Sequence, residues 1–191
     1  METKAKKIAR ITEKERKVLS LQPGEVIADV GTSGGYRMGM LSVFCDSLTI
    51  YLQDIDSTCL NINEVEKVWN WYAWVRGEPL TNRYRIVIGD ETESRLPNRH
   101  FDKIHVTATF HHFSQPEIML ADLRQKLQTH GKLYIIENVV DEPGQCRKRL
   151  CPHPLRTQAE LVDIFERSGF RVASVHSLNR PYTKIFTLVI P

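Results

Sequence analysis

The sequence carries no excess of either charge: 26 Lys and Arg against 23 Asp and Glu leave a formal +3 over 191 residues. That balance lacks the concentrated basicity of proteins that live on phosphate backbones, so nucleic acid is disfavoured as a partner. Nor is there any run approaching the ~20 apolar residues that span a bilayer. The opening stretch "METKAKKIARITEKERK" has no apolar core of a secretory signal, and a cytoplasmic protein without membrane attachment is expected. No C-x-x-C pair occurs among Cys45, Cys59, Cys146 and Cys151, which points to reduced thiols. "CRKRLC", from Cys146 to Cys151, is the nearest approach to a soft-metal or redox spacing. His153 is the one further ligand beside it, short of the four that a structural zinc takes, so plain loop thiols and no metal are expected.

What is present is an alternation. Strand-like runs "EVIADV", "LTIYLQ", "YRIVI", "DKIHVT" and "KLYIIE" are separated by the helical patterns "YRMGMLSVF", "TCLNINEVEKVWNWYAWVR" and "PEIMLADLRQKLQT", and "TQAELVDIFERS" follows. A chain of this length is one domain's worth, and the alternation predicts an α/β, doubly wound parallel sheet with helices on both faces. Pro116 opens one helix and Gly131 is expected to close it, while Gly169 closes the helix that begins at Thr157. Cys45 and Cys59 fall in segments that read as helix or the start of one. Only "NRPYT" separates the last two strand-like runs, "FRVASVHSL" and "KIFTLVI", which leaves no room for a crossover helix. They must form a hairpin, with one strand antiparallel to the rest.

Around this core, residues 1–20 read as a basic helical segment preceding a domain over 21–191. In "VWNWYAW", Trp69 and Tyr72 share a helical face with Val65 and Val68 and read as core. Trp71 and Trp74 lie on another face, suited to packing or to a homodimer contact. Residues 138–156, rich in Pro, Gly and basic side chains, are long for a connection in a compact domain. They suit a cover over a substrate. Arg147, Lys148, Arg149 and Arg156 suit either an anionic substrate group or a solvated loop.

The glycine turn in "IADVGTSGGYRMGML" decides the ligand. A dinucleotide fold needs G-x-G-x-x-G, and Tyr36 stands where the third glycine belongs. The residues instead give Gly31, Ser33 and Gly35, a spacing for close backbone approach to a ligand that brings no phosphate to the turn. S-adenosylmethionine fits that description. Asp54 ends the second strand about twenty residues beyond Gly31, where a carboxylate accepts both ribose hydroxyls in dinucleotide folds; the plainer alternative is a solvated turn with Asp56. Asp90 follows the third strand in "IGD", as a ligand contact or an ordinary Gly-Asp turn. Asp29, at the end of a central strand, must find partners. His111 and His112 follow the fourth strand at the mouth of the crevice, placed to take a proton near neutrality or to cap the helix near Pro116.

From residue 21 onward the chain resembles the class I S-adenosylmethionine-dependent methyltransferases, and in particular the ubiquinone/menaquinone-biosynthesis type. "LQPGEVIADVGTSGGY", "IYLQDID", "IGDETESRLP" with "FDKI", "TATFHHFSQPEIMLADLRQKL" and "GKLYIIEN" resemble five family motifs in order. The resemblance implies a Rossmann-like sheet of seven strands with the last antiparallel, and S-adenosylmethionine as cofactor. It implies cofactor binding by Asp29, Gly31, Ser33, Gly35, Asp54, Asp90 and Glu91, with Asp90 on the adenine amine and the backbone of Glu91 near the ring. His112, ahead of His111, is the candidate catalytic residue, and the expected reaction is methyl transfer to a small-molecule acceptor. "TATFHH" contains no N/D-P-P-Y stretch, which disfavours the amino-methyltransferases of nucleic-acid bases. Two rivals stand beside this reading. One is a noncatalytic S-adenosylmethionine-binding module, because residues 1–20 are short for covering a substrate. The other is a nucleotide-dependent oxidoreductase, disfavoured by Tyr36 and the terminal hairpin.

Overall fold

The computed structural model describes residues 3–145 and 154–191. The hydroxyl of Thr3 accepts the Lys6 N–H and opens helix α1 (Lys4–Leu19). Ile8, Thr12, Glu15 and Leu19 recur at helical spacing and are buried, so the basic segment lays one stripe against the rest of the chain. The alternation then runs β1 (Val26–Val30), α2 (Tyr36–Ser42), β2 (Thr49–Asp54), α3 (Ile62–Arg76), β3 (Arg83–Ile88) and β4 (Phe101–Thr107). A 3-10 turn at Phe110–His112 leads to α4 (Pro116–Lys126), β5 (Leu127–Asn138), α5 (Gln158–Arg167), β6 (Arg171–Ser177) and β7 (Thr183–Val189).

The seven strands form one sheet in the order β3-β2-β1-β4-β5-β7-β6. The pairs among β1 to β5 are parallel, whereas β7 runs antiparallel to both β5 and β6. This is the expected doubly wound sheet with an antiparallel last strand. The hairpin has inserted that strand between β5 and β6. The burial pattern gives the reason: Ile185, Phe186 and Leu188 of β7 are fully buried, while Arg171, Ala173 and His176 leave β6 half-solvated as an edge strand. The order reverses between β1 and β4, which opens a crevice at their carboxyl ends.

Helices cover both faces. On one, α4 and α5 pack Leu120, Leu123, Leu161 and Phe165 onto the sheet, and Phe165 meets Phe110 and Phe186 edge-to-face, each at 5.4 Å between ring centroids. On the other, α1, α2 and α3 bury Ile8, Met38, Leu41, Val65, Val68, Trp69 and Tyr72. The two faces of α3 are as read: Trp69 and Tyr72 lie in the core, whereas Trp71 and Trp74 remain 44% and 63% exposed. The Lys4 ammonium sits 4.2 Å from the centroid of Trp74 and 6.0 Å from that of Trp71, so α1 already engages this aromatic face.

Several local readings are corrected. Gly131 does not close α4, which ends at Lys126; it lies inside β5. The helix stops earlier because the N–H groups of Arg99 and His100 donate to the carbonyls of Gln125 and Lys126, satisfying its last turn from the turn that leads into β4. Gly131 is needed at that junction for space, since a Cβ there would come 2.7 Å from the Phe101 carbonyl oxygen. Cys45 lies after the end of α2 and Cys59 in the turn before α3, both as free thiols. Cys146, Arg147, Lys148, Arg149, Cys151 and His153 lie outside the described residues. Among those described, no helix is long and apolar enough to cross a membrane.

Candidate functional site

The residues between β1 and α2 are fixed by β2 behind them and by the loop after β4 in front. The N–H groups of Gly31 and Thr32 both donate to the Gln53 carbonyl, at 2.8 and 3.1 Å. The Thr109 hydroxyl donates to the Gly31 carbonyl at 3.1 Å, and its side chain fills the space that any Cβ on Gly31 would take. With φ at +68°, Gly31 is required by both conformation and contact. Gly35 caps α2 and packs against Leu52 and Trp69, behind the loop. Ser33 turns its N–H to Asp54 Oδ2 at 2.7 Å.

Gly31, Thr32, Ser33 and Thr109, but not Gly35, form one wall of a cavity of about 550 Å³ at the switch point, lined also by Asp29, Asp54, Asp90, Glu91, Thr107 and His112. Four carboxylates therefore face a space whose lining includes one guanidinium, that of Arg37. Asp54 is held by backbone: besides Ser33, the N–H groups of Ile55 and Asp56 donate to its Oδ1 at 2.8 and 3.1 Å. Asp56 is spent elsewhere, accepting from the Thr58 N–H and hydroxyl and from the Cys59 thiol. Asp90 is both a turn residue and a wall residue. Its Oδ1 accepts from the Thr92 N–H, the Thr92 hydroxyl and the Glu93 N–H, all at 2.9 Å, and Arg95 lies 3.3 Å from Oδ2. The Thr92 bonds foremost draw its carboxyl down to about 2. Glu91 accepts the Ser114 hydroxyl at 2.8 Å, tying the loop after β3 to the one before α4.

Asp29 is different, because it is 2% exposed. Its Oδ2 accepts the Thr32 hydroxyl at 2.5 Å, and its Oδ1 lies 3.0 Å from His105 Nδ1. The other nitrogen of that imidazole is 3.1 Å from Glu15 Oε1, which also accepts from Arg37 Nε at 2.9 Å, and Arg37 Nη2 meets Glu15 Oε2. Burial opposes charge on His105, but hydrogen bonds to Asp29 and Glu15 outweigh it and raise the imidazole to about 9. Burial likewise pushes the Glu15 carboxyl up, and His105 and Arg37 together bring it below its ordinary value. Neither Glu15, Arg37 nor His105 is apparent from motifs. The available signals were a carboxylate on the buried stripe of α1 and an imidazole inside the apolar run "KIHVT", each of which demands a partner.

The structure separates the two histidines after β4. His112 lines the cavity, whereas the His111 side chain is 6% exposed and turns Nδ1 to Glu137 Oε2 at 2.8 Å. Their rings lie 4.1 Å apart. A second cavity of about 300 Å³ shares Arg37, Thr107 and Ala108 with the first and is walled further by Ile11, Glu137, Asn138 and Arg180. Ala108, at the junction, has φ at +52°, a strained backbone for a residue with a Cβ.

The residues present fit an S-adenosylmethionine-sized ligand. The cavity is large enough, its acidic lining suits a cationic donor, and the buried Gln53 amide nitrogen, beside Asp54, lacks a hydrogen-bond partner among the described residues. No curated protein matches the chain in sequence. Among solved structures, a SAM-dependent methyltransferase from Aquifex aeolicus is similar at 23% identity over 100% of both chains, with a TM-score of 0.69. A putative methyltransferase of Haloferax volcanii, solved with its Trm112 activator, is similar at 16% identity over 98% of this chain and 93% of that one, with a TM-score of 0.69. A phosphoethanolamine N-methyltransferase of Haemonchus contortus, solved with S-adenosylhomocysteine, is similar at 12% identity over 97% and 52%, also with a TM-score of 0.69. These likenesses concern the fold. Residues 28–135, more than half of the chain and the stretch that builds the glycine loop, Asp54, Asp90 and both histidines, match the family model of the methyltransferase domain. The chain belongs to that family of S-adenosylmethionine-dependent methyltransferases.

Proposed function

We propose that this enzyme methylates a small-molecule acceptor, as the ubiquinone/menaquinone-biosynthesis type does, and that the acceptor occupies the second cavity. The observation that carries the reading is the junction of the two cavities at Thr107 and Ala108. A space of about 300 Å³ adjoins the methyl-donor cavity there, sharing those wall residues and Arg37 with it, and its size suits a compact organic molecule. Helix α1 supplies Ile11 and Glu15 to its wall, which supports a covering role for the N-terminal segment.

In the donor cavity we assign Asp54 to the ribose hydroxyls, Asp90 to the adenine amine with the Glu91 backbone beside the ring, and Gly31, Ser33 and Gly35 to the loop that admits the ligand closely. Asp29 is assigned to the amino-acid end. When bound, the cofactor supplies an electrophilic methyl carbon; the acceptor atom bonds to it as the carbon–sulfur bond breaks and its electrons stay on sulfur. The chain's contribution is chiefly alignment, which lowers such barriers by roughly 7–11 kcal/mol. His112, on the cavity wall, takes the proton that the acceptor releases, and His111, held by Glu137, backs its ring. A second copy of the chain docking on Trp71 and Trp74 is part of the same reading, and sedimentation of a Trp74→Glu variant tests it.

The deciding experiment is a methylation screen of cytoplasmic metabolites with labelled donor. Label transferred to a small molecule supports the reading. Label appearing in protein or nucleic acid, or in nothing despite tight donor binding, overturns it.

A further inference from the structure

The Glu15–Arg37–His105–Asp29 cluster poses a question that the assignments above leave open. Three ionisable side chains, Glu15, Asp29 and His105, are 1–2% exposed, an arrangement whose desolvation cost only close pairing can offset. They come from three elements far apart in sequence: α1, β1 and β4. The cluster also ends on the donor cavity twice, at Asp29 and at Arg37. One carboxylate, that of Glu15, holds both ends. Its Oε1 accepts Arg37 Nε at 2.9 Å and lies 3.1 Å from the imidazole that braces Asp29.

We infer that Glu15 is a positioning residue, through which helix α1 builds a seat for the zwitterionic amino-acid end of the methyl donor. The inference rests on the methyl-donor reading of the first cavity. That end of the donor carries one ammonium and one carboxylate. Asp29 presents a carboxylate to the ammonium. Arg37 presents the edge of its guanidinium that Glu15 leaves over: Nε and Nη2 are turned to Glu15, and Nη1 makes no hydrogen bond among the described residues. A guanidinium oriented by one carboxylate is pre-set to receive another. His105 sits between the two carboxylates, with Nδ1 3.0 Å from Asp29 and Nε2 3.1 Å from Glu15. Since α1 contributes the central acceptor, seating of that helix and binding of the donor's amino-acid end stabilise each other.

Two ligands separate this role from a merely structural one. S-adenosylhomocysteine has the amino-acid end; 5′-methylthioadenosine keeps the adenosine and sulfur and lacks it. By calorimetric titration of the full chain, Glu15→Gln is expected to weaken S-adenosylhomocysteine by roughly 10–100-fold, the scale of lost bonds to charged groups. Binding of 5′-methylthioadenosine should stay within about twofold, since it makes no contact there. Equal weakening of both ligands, or of neither, overturns the inference. So does a wild-type chain that binds the two equally well. A wild-type chain that binds neither overturns the methyl-donor reading itself, and this inference with it. Hydrogen exchange on the wild-type protein gives a check that needs no variant. S-adenosylhomocysteine should protect the amides of residues 4–19 more than 5′-methylthioadenosine does, and equal protection would sink the coupling.

Discussion

The carboxylates on the wall of the larger cavity are held by two opposite means. Asp54 and Asp90, at a strand end and in the turn after β3, are fixed mostly by donors one to three positions away, and Glu91 is held by the Ser114 hydroxyl from the loop before α4. At the end of Asp29, the carboxylate is buried and fixed by an imidazole 76 residues away, which in turn leans on a helix 90 residues before it. Loop carboxylates with backbone donors remain solvated and cost little to place. Buried carboxylates need counter-charges, and the counter-charges here must come from other elements. The same cavity thus has one locally determined end and one that exists only once the sheet and α1 are assembled.

The strongest perturbation spares both ends and strikes between them. His112→Ala is expected to reduce single-turnover rate by roughly 10²–10⁴-fold while S-adenosylhomocysteine affinity holds, the effect of losing a positioned proton acceptor. A rate near wild type would leave alignment alone to carry the reaction, and a fall in affinity would move His112 to a binding role. Next comes the buried end. His105→Leu strands two carboxylates in the interior and should destabilise the fold by about 3–5 kcal/mol, read as a lowered denaturant midpoint with the slope unchanged. A loss under about 1 kcal/mol would mean that Glu15 and Asp29 find water or other partners.

The locally built end should respond in binding and not in folding. Asp54→Ala is expected to weaken S-adenosylhomocysteine by about 1.5–3 kcal/mol with little change in melting temperature. Affinity within twofold of wild type would remove Asp54 from the ribose site. The smallest and most specific contrast is in pH. His105 is raised from 6.5 to about 9, so the folded state holds a proton that the unfolded chain releases. Its contribution is complete below about 6.5 and is lost as pH climbs through 9. Melting temperature should therefore decline across that window in the wild type and lose that decline in His105→Gln. An identical decline in both would assign it to other groups.

These differences mark what was legible beforehand. Asp54, Asp90, Gly31 and Ser33 could be located because strand ends and turns announce themselves over a few residues. Thr109, which closes over Gly31, and Gln53, whose amide lies beside Asp54, gave no such signal. The histidine pair illustrates the boundary: adjacent in sequence and equal on paper, His111 and His112 are parted by the 3-10 turn, which sends one ring to Glu137 and the other to the cavity. Gly131 misled for the related reason that a glycine after a helical pattern looks like a cap. The requirement it meets is a close approach to Phe101, a contact between strands.

The sequence by itself determined the alternation of strands and helices, the terminal hairpin, the two faces of α3 and the acidic strand ends, because periodicity and turn chemistry act over neighbouring residues. Tertiary structure alone decided that β7 lies inside the sheet and β6 at its edge, that His112 and not His111 lines the cavity at the switch point, and that Glu15, Arg37, His105 and Asp29 converge. Burial and charge pairing are properties of the assembled layers. A carboxylate on one helix learns its partner only when the sheet brings an imidazole from the far side of the chain to meet it.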